Sequence, residues 1–441
     1  MTRAAFTIGL LLPLAAQAAD LKLPAAYYPI VDLANGAGPE FASDALLRIV
    51  ETGKIDDKPS RRALITQAFF AASNAHERVP RKVIKGAGID TEAGMMSEAY
   101  DLHLDALSLQ SRAVRLMLAT DPKAARQMFL DMPRPAVPAL ACDDALTYDV
   151  AVYFDTLTGV LDKSFTAAER AKEDHVNFAL DYLGAVASPS QLAPALRMVA
   201  VSTAFSAVQR DLLMNRLGGV VESMQPDSRS FEAVRQDIEV AMPASLQPAW
   251  EKLKQRLASG TQCGQPDPRA AQTVPSTSAQ PGANMPKPQL LWQSPESKGI
   301  IEAAKKVRFG DSNHTTPDWQ DAFALLLGKI AAWQPSDDET PAMYYHERCT
   351  LYEGLIDVAA TGPQRERLLE DFIGFIAASG LQRDSPAEWF FHVPLLLRHI
   401  PDSGGAEGRK ALDALIHSGN PSLTLYATLE KLIPTSPGAF H

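Results

Sequence analysis

The sequence predicts an all-α protein, organised as a helical repeat or an irregular helical bundle in two regions joined by a proline-rich linker. Apolar residues recur at helical spacing along most of the chain, and runs of alternating β-branched residues are scarce. Six capping residues stand directly before prolines, and one long segment has almost no large apolar side chains. With 46% hydrophobic residues, the chain can bury a sizeable core.

Residues 1–19 are expected to be a secretory signal peptide of bacterial type. Arg3 supplies the charged start, Ala4–Leu14 is an apolar run, and Ala16 and Ala18 frame a cleavage site. No cysteine follows that could carry a lipid, and the run is shorter than the roughly 20 apolar residues of a membrane-spanning helix. We therefore expect a periplasmic or secreted protein with no membrane span. A retained N-terminal anchor is the alternative.

The charge balance argues against a nucleic-acid partner. Loss of the signal peptide would change the net charge from −10 to −11, because Arg3 is the one charged residue in it. Binding to nucleic acid needs a basic stripe. The basic runs Arg81–Lys85 and Lys305–Arg308 are short and isolated, and we interpret them as solvated helix ends or loops.

The N-terminal region, residues 20–259, contains repeated amphipathic patterns. The clearest has a core-facing stripe with spacings of four, three, four and three residues: Leu102, Ala106, Leu109, Ala113 and Leu116. Asp105, Arg112 and Arg115 lie off this stripe. Similar helical patterns occupy Phe41–Thr52, Arg61–Ala75, Ala167–Ala187, Ala204–Met224, Phe231–Ala241 and Leu246–Leu257. A weaker proline-rich break at residues 132–142 subdivides this region.

Helix starts are marked by a capping side chain followed by proline. The six dipeptides are Asp121-Pro122, Ser188-Pro189, Thr316-Pro317, Thr340-Pro341, Ser385-Pro386 and Asn420-Pro421. The capping oxygen accepts from an otherwise unpaired backbone N–H, and proline at the first helical position loses a donor that had no partner. Glu388, three residues after Ser385, adds the pattern of a capping box.

In the C-terminal region, residues 290–441, helix starts recur at a nearly constant interval. Pro317, Pro341, Pro363 and Pro386 are separated by 24, 22 and 23 residues, so that a pair of helices takes 45 to 47 residues. This spacing resembles the helix-pair repeats of HEAT and armadillo solenoids. The resemblance covers about Thr316–Ile400 and implies an α-solenoid; an irregular helical bundle is the alternative.

Residues 260–289 are predicted to form a flexible linker between the two regions. The segment contains six prolines, at positions 266, 268, 275, 281, 286 and 288, and almost no large apolar residue. Such a composition buries too little surface to offset the entropy of ordering.

The helix that starts at Thr340 carries the most notable polar pattern. Cys349 shares an apolar face with Tyr345 and Tyr352, which predicts a small buried side chain. Beside that face runs a strip with spacings of four, three and four residues: His346, Thr350, Glu353 and Asp357. One hypothesis makes His346 a base or metal ligand, with Glu353 orienting it or sharing the ion. The alternative, which we favour because too few ligands converge, is a solvated helix edge. No catalytic motif, cofactor or metal is predicted.

An aromatic segment, Trp389, Phe390 and Phe391, precedes His392. Core packing is the expected role of these rings, and an aromatic-lined binding groove is the alternative.

A disulfide is predicted between Cys142 and Cys263, because these two cysteines bracket one helical block and export exposes the chain to oxidation. Cys349 is expected to stay a buried free thiol, since an odd number of cysteines leaves one unpaired. The alternatives are a disulfide that uses Cys349 and the absence of any disulfide.

These observations favour an exported helical-repeat protein that acts as a binding or scaffold module for a protein, peptide or glycan. The quasi-periodic helices and the lack of a catalytic signature support this function. The alternative is a hydrolase acting on a cell-envelope or extracellular polymer, with Glu347, Glu353 or Asp357 in a helical cleft.

Overall fold

The computed structural model confirms the all-α prediction: the described residues form 21 α-helices, two 3-10 turns and one small sheet of two strands. The structure describes residues 21–84, 91–224, 228–259, 291–309, 316–337, 339–359, 362–398, 400 and 405–434. The predicted signal peptide and most of the predicted linker lie outside these ranges. Within them, no helix is long and apolar enough to cross a membrane.

The N-terminal region contains helices α1 to α13 and both strands. In chain order these are α1 (Tyr28–Ala34), α2 (Pro39–Glu51), α3 (Lys58–Ala72), β1 (Arg81–Val83), α4 (Glu92–Tyr100), α5 (Ala106–Thr120), α6 (Pro122–Asp131), β2 (Leu146–Tyr148), α7 (Ala151–Lys163), α8 (Ala167–Ala171), α9 (Asp174–Gly184), α10 (Pro189–Val201), α11 (Ala207–Ser223), α12 (Ser228–Ala241) and α13 (Gln247–Ser259). The 3-10 turns are Ala25–Tyr27 and Ala244–Leu246.

The C-terminal region contains helices α14 to α21. They are α14 (Pro295–Phe309), α15 (Pro317–Ala332), α16 (Pro341–Val358), α17 (Pro363–Ala378), α18 (Leu381–Asp384), α19 (Pro386–Arg398), α20 (Ala406–Ile416) and α21 (Pro421–Leu432).

Every proline of the six predicted start signals begins a helix, and so does Pro363. The side chain of Asp121 accepts from the N–H of Ala124 at 3.1 Å, and that of Thr340 accepts from Met343 at 3.1 Å. These bonds satisfy donors that the first helical turn leaves without a partner.

The capping box predicted at Ser385 does not form. The backbone N–H of Ser385 donates to the carbonyl of Leu381 at 2.8 Å, and its hydroxyl donates to Glu77 at 3.2 Å. The carboxylate of Glu388 turns instead toward His346. The sequence pattern of a cap is therefore used here for a contact between helices.

Two local predictions are corrected by backbone geometry. The single helix expected over Ala167–Ala187 is split into α8 and α9 at Glu173, whose φ of 60° is left-handed. The basic run at Arg81 starts a strand, where we expected a helix end or loop. This strand pairs antiparallel with β2, with Lys82 opposite Thr147.

The stripe predicted for α5 is buried at Ala106, Leu109 and Ala113. Asp105, which lies off the stripe, is also buried, with 1% of its surface exposed. Its carboxylate caps α5 by accepting from the N–H of Ser108 at 2.8 Å. A charged side chain thus lies in the core because the helix start there needs an acceptor.

The first and last helices among the described residues pack together. Helices α1 and α2 contact α21, and α4 contacts α16 and α19. Arg48 on α2 forms an ion pair with Glu430 on α21 at 2.6 Å, and the ring of Phe41 lies 4.9 Å from that of Phe390. One hydrophobic cluster extends through both regions. This closure differs from an open solenoid, in which each repeat contacts only its neighbours, while the division at the linker stays a prediction.

Candidate functional site

A cavity of about 610 Å³ lies where the N-terminal helices meet α19 and α21. We call it the central cavity. Its walls come from α2, β1, α4, α5 and α7, with Phe390 of α19 and Tyr426 of α21 on the C-terminal side. The cationic side chains that line it are Arg48, Arg81, Lys82, Arg112 and Arg115, and the anionic ones are Asp44, Glu51, Asp101, Asp149 and Asp155. The central cavity is therefore lined by many charged groups, with as many carboxylates as arginine and lysine side chains.

Some of these charges are held by protein partners. Arg112 donates to Asp44 at 2.6 Å and to both carboxylate oxygens of Glu51, the first also at 2.6 Å. Lys82 lies 3.3 Å from Asp237 and 3.7 Å from Asp149. The bidentate pair between Arg112 and Glu51 fixes the direction of this guanidinium in the wall of the central cavity.

Four other side chains in the central cavity form two looser electrostatic pairs, Asp101 with His103 and Arg115 with Asp155. Among the residues that the structure describes, these four side chains make no hydrogen bond and no close ion pair. Solvent reaches Arg115 and His103, yet protein surrounds the central cavity, and this burial lowers the pKa of both groups. Burial raises the pKa of Asp101; the nearby His103 opposes this shift, and Asp149 adds to it. The central cavity thus presents ligand-binding groups of both charges.

His103 also has an unusual backbone. Its φ of 55° is left-handed, a region that a residue with a Cβ adopts at a cost of about 1 to 2 kcal/mol. Such conformations cluster at functional sites, where the surrounding structure enforces them. The imidazole is held at the rim of the central cavity by this turn between α4 and α5.

A second polar feature is buried between α16 and α19. His346 Nδ1 lies 2.9 Å from His392 Nε2, His346 Nε2 lies 3.3 Å from Glu388 Oε1, and His392 Nδ1 lies 2.8 Å from Glu353 Oε1. We call these four side chains the His-Glu network. Each is at most 7% exposed. Burial lowers the pKa of His346, which the hydrogen bond to Glu388 opposes.

The structure separates the residues of the predicted polar strip. His346 and Glu353 are buried in the His-Glu network, so the solvated edge that we favoured is wrong for these two. Thr350 and Asp357 are exposed, as that interpretation expects. Glu353 contacts His392 rather than His346. The strip as a functional site stays a prediction.

The carboxylates named for a hydrolase do not meet in the central cavity. Glu347 is fully buried, and one of its oxygens accepts from the backbone N–H of Trp292. Burial raises the pKa of Glu347 to about 7. Together with the burial of Glu353 and the exposure of Asp357, this places the three carboxylates in different surroundings.

Cys349 is a fully buried free thiol that contacts Tyr345. Burial raises the pKa of its thiol, so it is unreactive at neutral pH. Cys263 lies outside the described residues, so its pairing with Cys142 stays a prediction.

The rings of the aromatic segment mostly pack in the core. Trp389 is fully buried, with its indole N–H donating to the carbonyl of Ile376 at 2.8 Å. Phe390 packs edge-on against Tyr426 at 4.9 Å and forms part of the wall of the central cavity. Core packing is confirmed for both residues, and Phe390 also contributes an apolar surface to the candidate site.

Among the described residues, no group of three or more His, Cys, Asp or Glu side chains is placed to hold a metal ion. Comparison of the chain with protein families, with curated proteins and with solved structures found no match. The candidate site is therefore defined by its own geometry.

Sequence reasoning did not identify the lining of the central cavity. Arg81 and Lys82 were interpreted as solvated, and His103 carries no local pattern that marks it. Arg112 and Arg115 lie off the core stripe of α5, which was the one available signal. This pattern indicates that the side chains of Arg112 and Arg115 point away from the core. It does not indicate that other helices form a cavity around them.

Proposed function

We propose that this protein is an exported binding protein whose central cavity holds a small polar ligand without a large net charge, and that the ligand is a short glycan. The observation that carries the proposal is the equal number of arginine or lysine and of carboxylate side chains lining one cavity, among them groups of both signs that make no hydrogen bond to the described residues. The predicted signal peptide supports export.

A saccharide matches this lining because each of its hydroxyl groups both donates and accepts hydrogen bonds. Arg115 and His103 offer donors, and Asp101 and Asp155 offer acceptors. A strongly charged ligand would meet as many repulsive as attractive groups. The rings of Phe390 and Tyr426 are largely buried, and the small parts that line the central cavity add apolar surface for contact with a sugar ring. The volume falls within the roughly 300 to 1,000 Å³ of typical ligand pockets.

Calorimetric titration with neutral mono- and disaccharides, zwitterionic dipeptides and inorganic phosphate tests this function. We expect a saccharide to bind, and Arg115→Ala to weaken binding by about tenfold or more, because a charge-assisted hydrogen bond is lost. Arg197→Ala is the matched control, since Arg197 is an exposed arginine on α10 that does not line the central cavity. Binding of dipeptides alone would assign the cavity to zwitterions, and equal loss in both variants would contradict a site in the cavity.

A second candidate function is hydrolysis of a polymer, supported by two neighbouring carboxylates in the central cavity. Burial raises the pKa of Asp101, as a general acid requires, and Asp149 is close enough to act on it electrostatically. Release of reducing ends or new amino groups from envelope polymers measures this activity. We expect it to be lost in Asp101→Asn if the carboxyl transfers a proton. Ligand binding without turnover in the native protein would exclude hydrolysis of that ligand.

A further inference from the structure

The hydrogen bonds of the His-Glu network fix how many protons it holds. Three bonds join four side chains, and the carboxylates at both ends only accept when ionised. Two neutral imidazoles carry two N–H donors between them, which leaves one of the three bonds without a proton. Two imidazolium rings carry four donors and place N–H against N–H across the 2.9 Å contact. With both carboxylates ionised, all three bonds form when the two imidazoles share three protons.

The surroundings indicate which imidazole carries the extra proton. His392 lies 2.8 Å from its carboxylate and His346 lies 3.3 Å from its own, and the shorter contact is the one expected for a charged donor, so we assign the extra proton to His392 and treat His346 as the neutral ring. Burial lowers the pKa of His346, in agreement with this assignment. Its Nε2–H then donates to Glu388, and its Nδ1 accepts from His392 Nε2. The remaining nitrogen of His392 donates to Glu353. In this arrangement His392 is an imidazolium between a carboxylate and a neutral ring, and every polar atom of the three bonds is matched.

Helix α4 brings two further ionisable groups to the network. Burial raises the pKa of Glu92, and the negative charge of Glu388 raises it further. The carboxylate of Glu92 accepts a hydrogen bond from the hydroxyl of Thr340 at 3.1 Å. Burial also raises the pKa of Tyr100, which senses Glu388 as well and lines the central cavity. On acidification Glu92 is thus a competing site for a proton.

Within the described ranges, the charges with the largest effect on the imidazole of His346 belong to the network itself. They are those of Glu388, His392 and Glu353. On α16 itself, burial raises the pKa of Tyr345 and of Cys349 far above neutrality.

Among the neighbouring helices, α17 presents the ring of Phe375 to Tyr345 at 5.6 Å. Arg383 and Asp384 of α18 are exposed, and near α14 the carboxylate of Glu347 turns to Trp292. The three-proton state is therefore set by the network and by α4.

The network shares a helix with the central cavity. Glu388 and His392 are one turn apart on α19, and Phe390 between them forms part of the cavity wall. Phe390 also packs against Phe41 and Tyr426, each at 4.9 Å between ring centroids. A displacement of α19 from α16 would therefore move an aromatic wall of the cavity.

We propose that the His-Glu network is a proton-operated clamp between α16 and α19, closed when it holds three protons and opened by a fourth, and that it regulates the shape of the central cavity. The regulation rests on the binding function proposed above; the clamp itself does not. A fourth proton places two imidazolium rings in contact and breaks the bond between them. The wall formed by Phe390 is then released.

NMR of histidine imidazoles labelled with ¹⁵N tests the proton count. At neutral pH we expect one doubly protonated ring and one neutral ring protonated at Nε2, assigned through His392→Gln and His346→Gln. In Glu353→Gln the new amide donates to His392 Nδ1, so two neutral rings satisfy all three bonds. The imidazolium signal should then disappear while the fold remains. Two neutral rings in the native protein, or an imidazolium signal that persists in Glu353→Gln, would overturn the proposal.

Amide hydrogen exchange followed by mass spectrometry tests the clamp. After correction for intrinsic rates, acidification should raise exchange in α19 by about tenfold relative to α5, the change expected for one lost buried hydrogen bond. His175→Gln is the matched control, because His175 is a buried histidine outside the network, and it should behave as the native protein does. In Glu92→Gln, acidification should still raise the exchange in α19, because the clamp places the added proton on the His-Glu network and not on Glu92.

Unchanged exchange in α19 on acidification, or a response abolished by Glu92→Gln alone, would refute the clamp. Neither measurement uses a ligand. The clamp can therefore fail while binding to the central cavity is established, and binding can fail while the clamp is established.

Discussion

Replacement of Asp105 by asparagine should make the protein more stable, and by an amount that grows with pH. Burial raises the pKa of this carboxyl from 3.8 to about 6, since its second oxygen has no hydrogen-bond partner and Glu77 adds like charge. A group with a raised pKa contributes stability that is fully present below the unfolded pKa. That contribution is lost as the pH rises through the folded pKa. Asparagine keeps the cap on the N–H of Ser108 and does not ionise.

The magnitude follows from the shift of about 2 units, which corresponds to about 3 kcal/mol of unfolding free energy once the carboxyl is ionised in both states. At about pH 5 the cost is about 1.6 kcal/mol, and at about pH 7.5 it reaches about 3 kcal/mol. Between these conditions the stability difference between Asp105→Asn and the native protein should grow by about 1.4 kcal/mol. Urea unfolding followed by circular dichroism at both pH values measures this difference.

Asp57→Asn is the matched control, since Asp57 caps α3 by accepting from the N–H of Ser60 at 2.9 Å. The hydrogen bonds from Ser60 lower the pKa of Asp57, so its contribution is present above the unfolded pKa and is lost only below it. The effect of Asp57→Asn should therefore be the same at both pH values. A stability difference for Asp105→Asn that is equally flat would refute the account of a buried ionised carboxylate.

Three further outcomes are expected. Limited proteolysis should first cut Thr273–Pro288, as the linker composition predicts. The two fragments should co-elute in size-exclusion chromatography and separate in urea, because α1, α2 and α4 pack on C-terminal helices. Separate elution without urea would contradict this packing. Non-reducing peptide mapping should recover Cys142 and Cys263 in one disulfide-linked peptide. By loop entropy this disulfide would add about 4 to 5 kcal/mol to the free energy of unfolding. Recovery of the two cysteines in separately alkylated peptides would exclude the disulfide. His103→Gly should leave the free energy of unfolding unchanged or raise it by up to about 1 kcal/mol, because glycine adopts a positive φ freely. The same variant should bind saccharide more weakly, since the imidazole is lost. His103→Ala keeps the backbone cost but lacks the imidazole, so thermal melts and binding titrations of both variants separate the two effects.

Local chemistry explains why the helices could be predicted from sequence. A capping residue followed by proline acts within one turn, so Thr340 and Pro341 mark the start of α16 whatever packs against it. The burial of Cys349 follows from helical periodicity in the same way. Both predictions depend on residues that are neighbours along the chain.

The His-Glu network depends on the packing of helices that are distant in sequence. His346 and His392 are 46 positions apart, and their contact is set by how α16 meets α19. No sequence pattern within α16 or α19 predicts the contact between these two helices. Glu388 was even given a different local role, as part of a cap. The short strand at Arg81 was missed for a related reason, since three residues show no periodicity and their partner strand lies far along the chain.

The contact between α2 and α21 sets the order in which the protein can assemble. Arg48 donates to Glu430 and to the carbonyl of Ile433, across separations of 382 and 385 positions. Helices α1 and α2 therefore keep an apolar face without its partner until α21 has left the ribosome and, if the protein is exported, the translocation channel. Contacts between such distant positions form late and slowly, because a long loop must close first. Early exposure of that face is a risk for aggregation. A chain that lacks α21 would expose the apolar face of α1 and α2 permanently. Its accumulation in the cell would then depend on chaperones that bind exposed apolar surface.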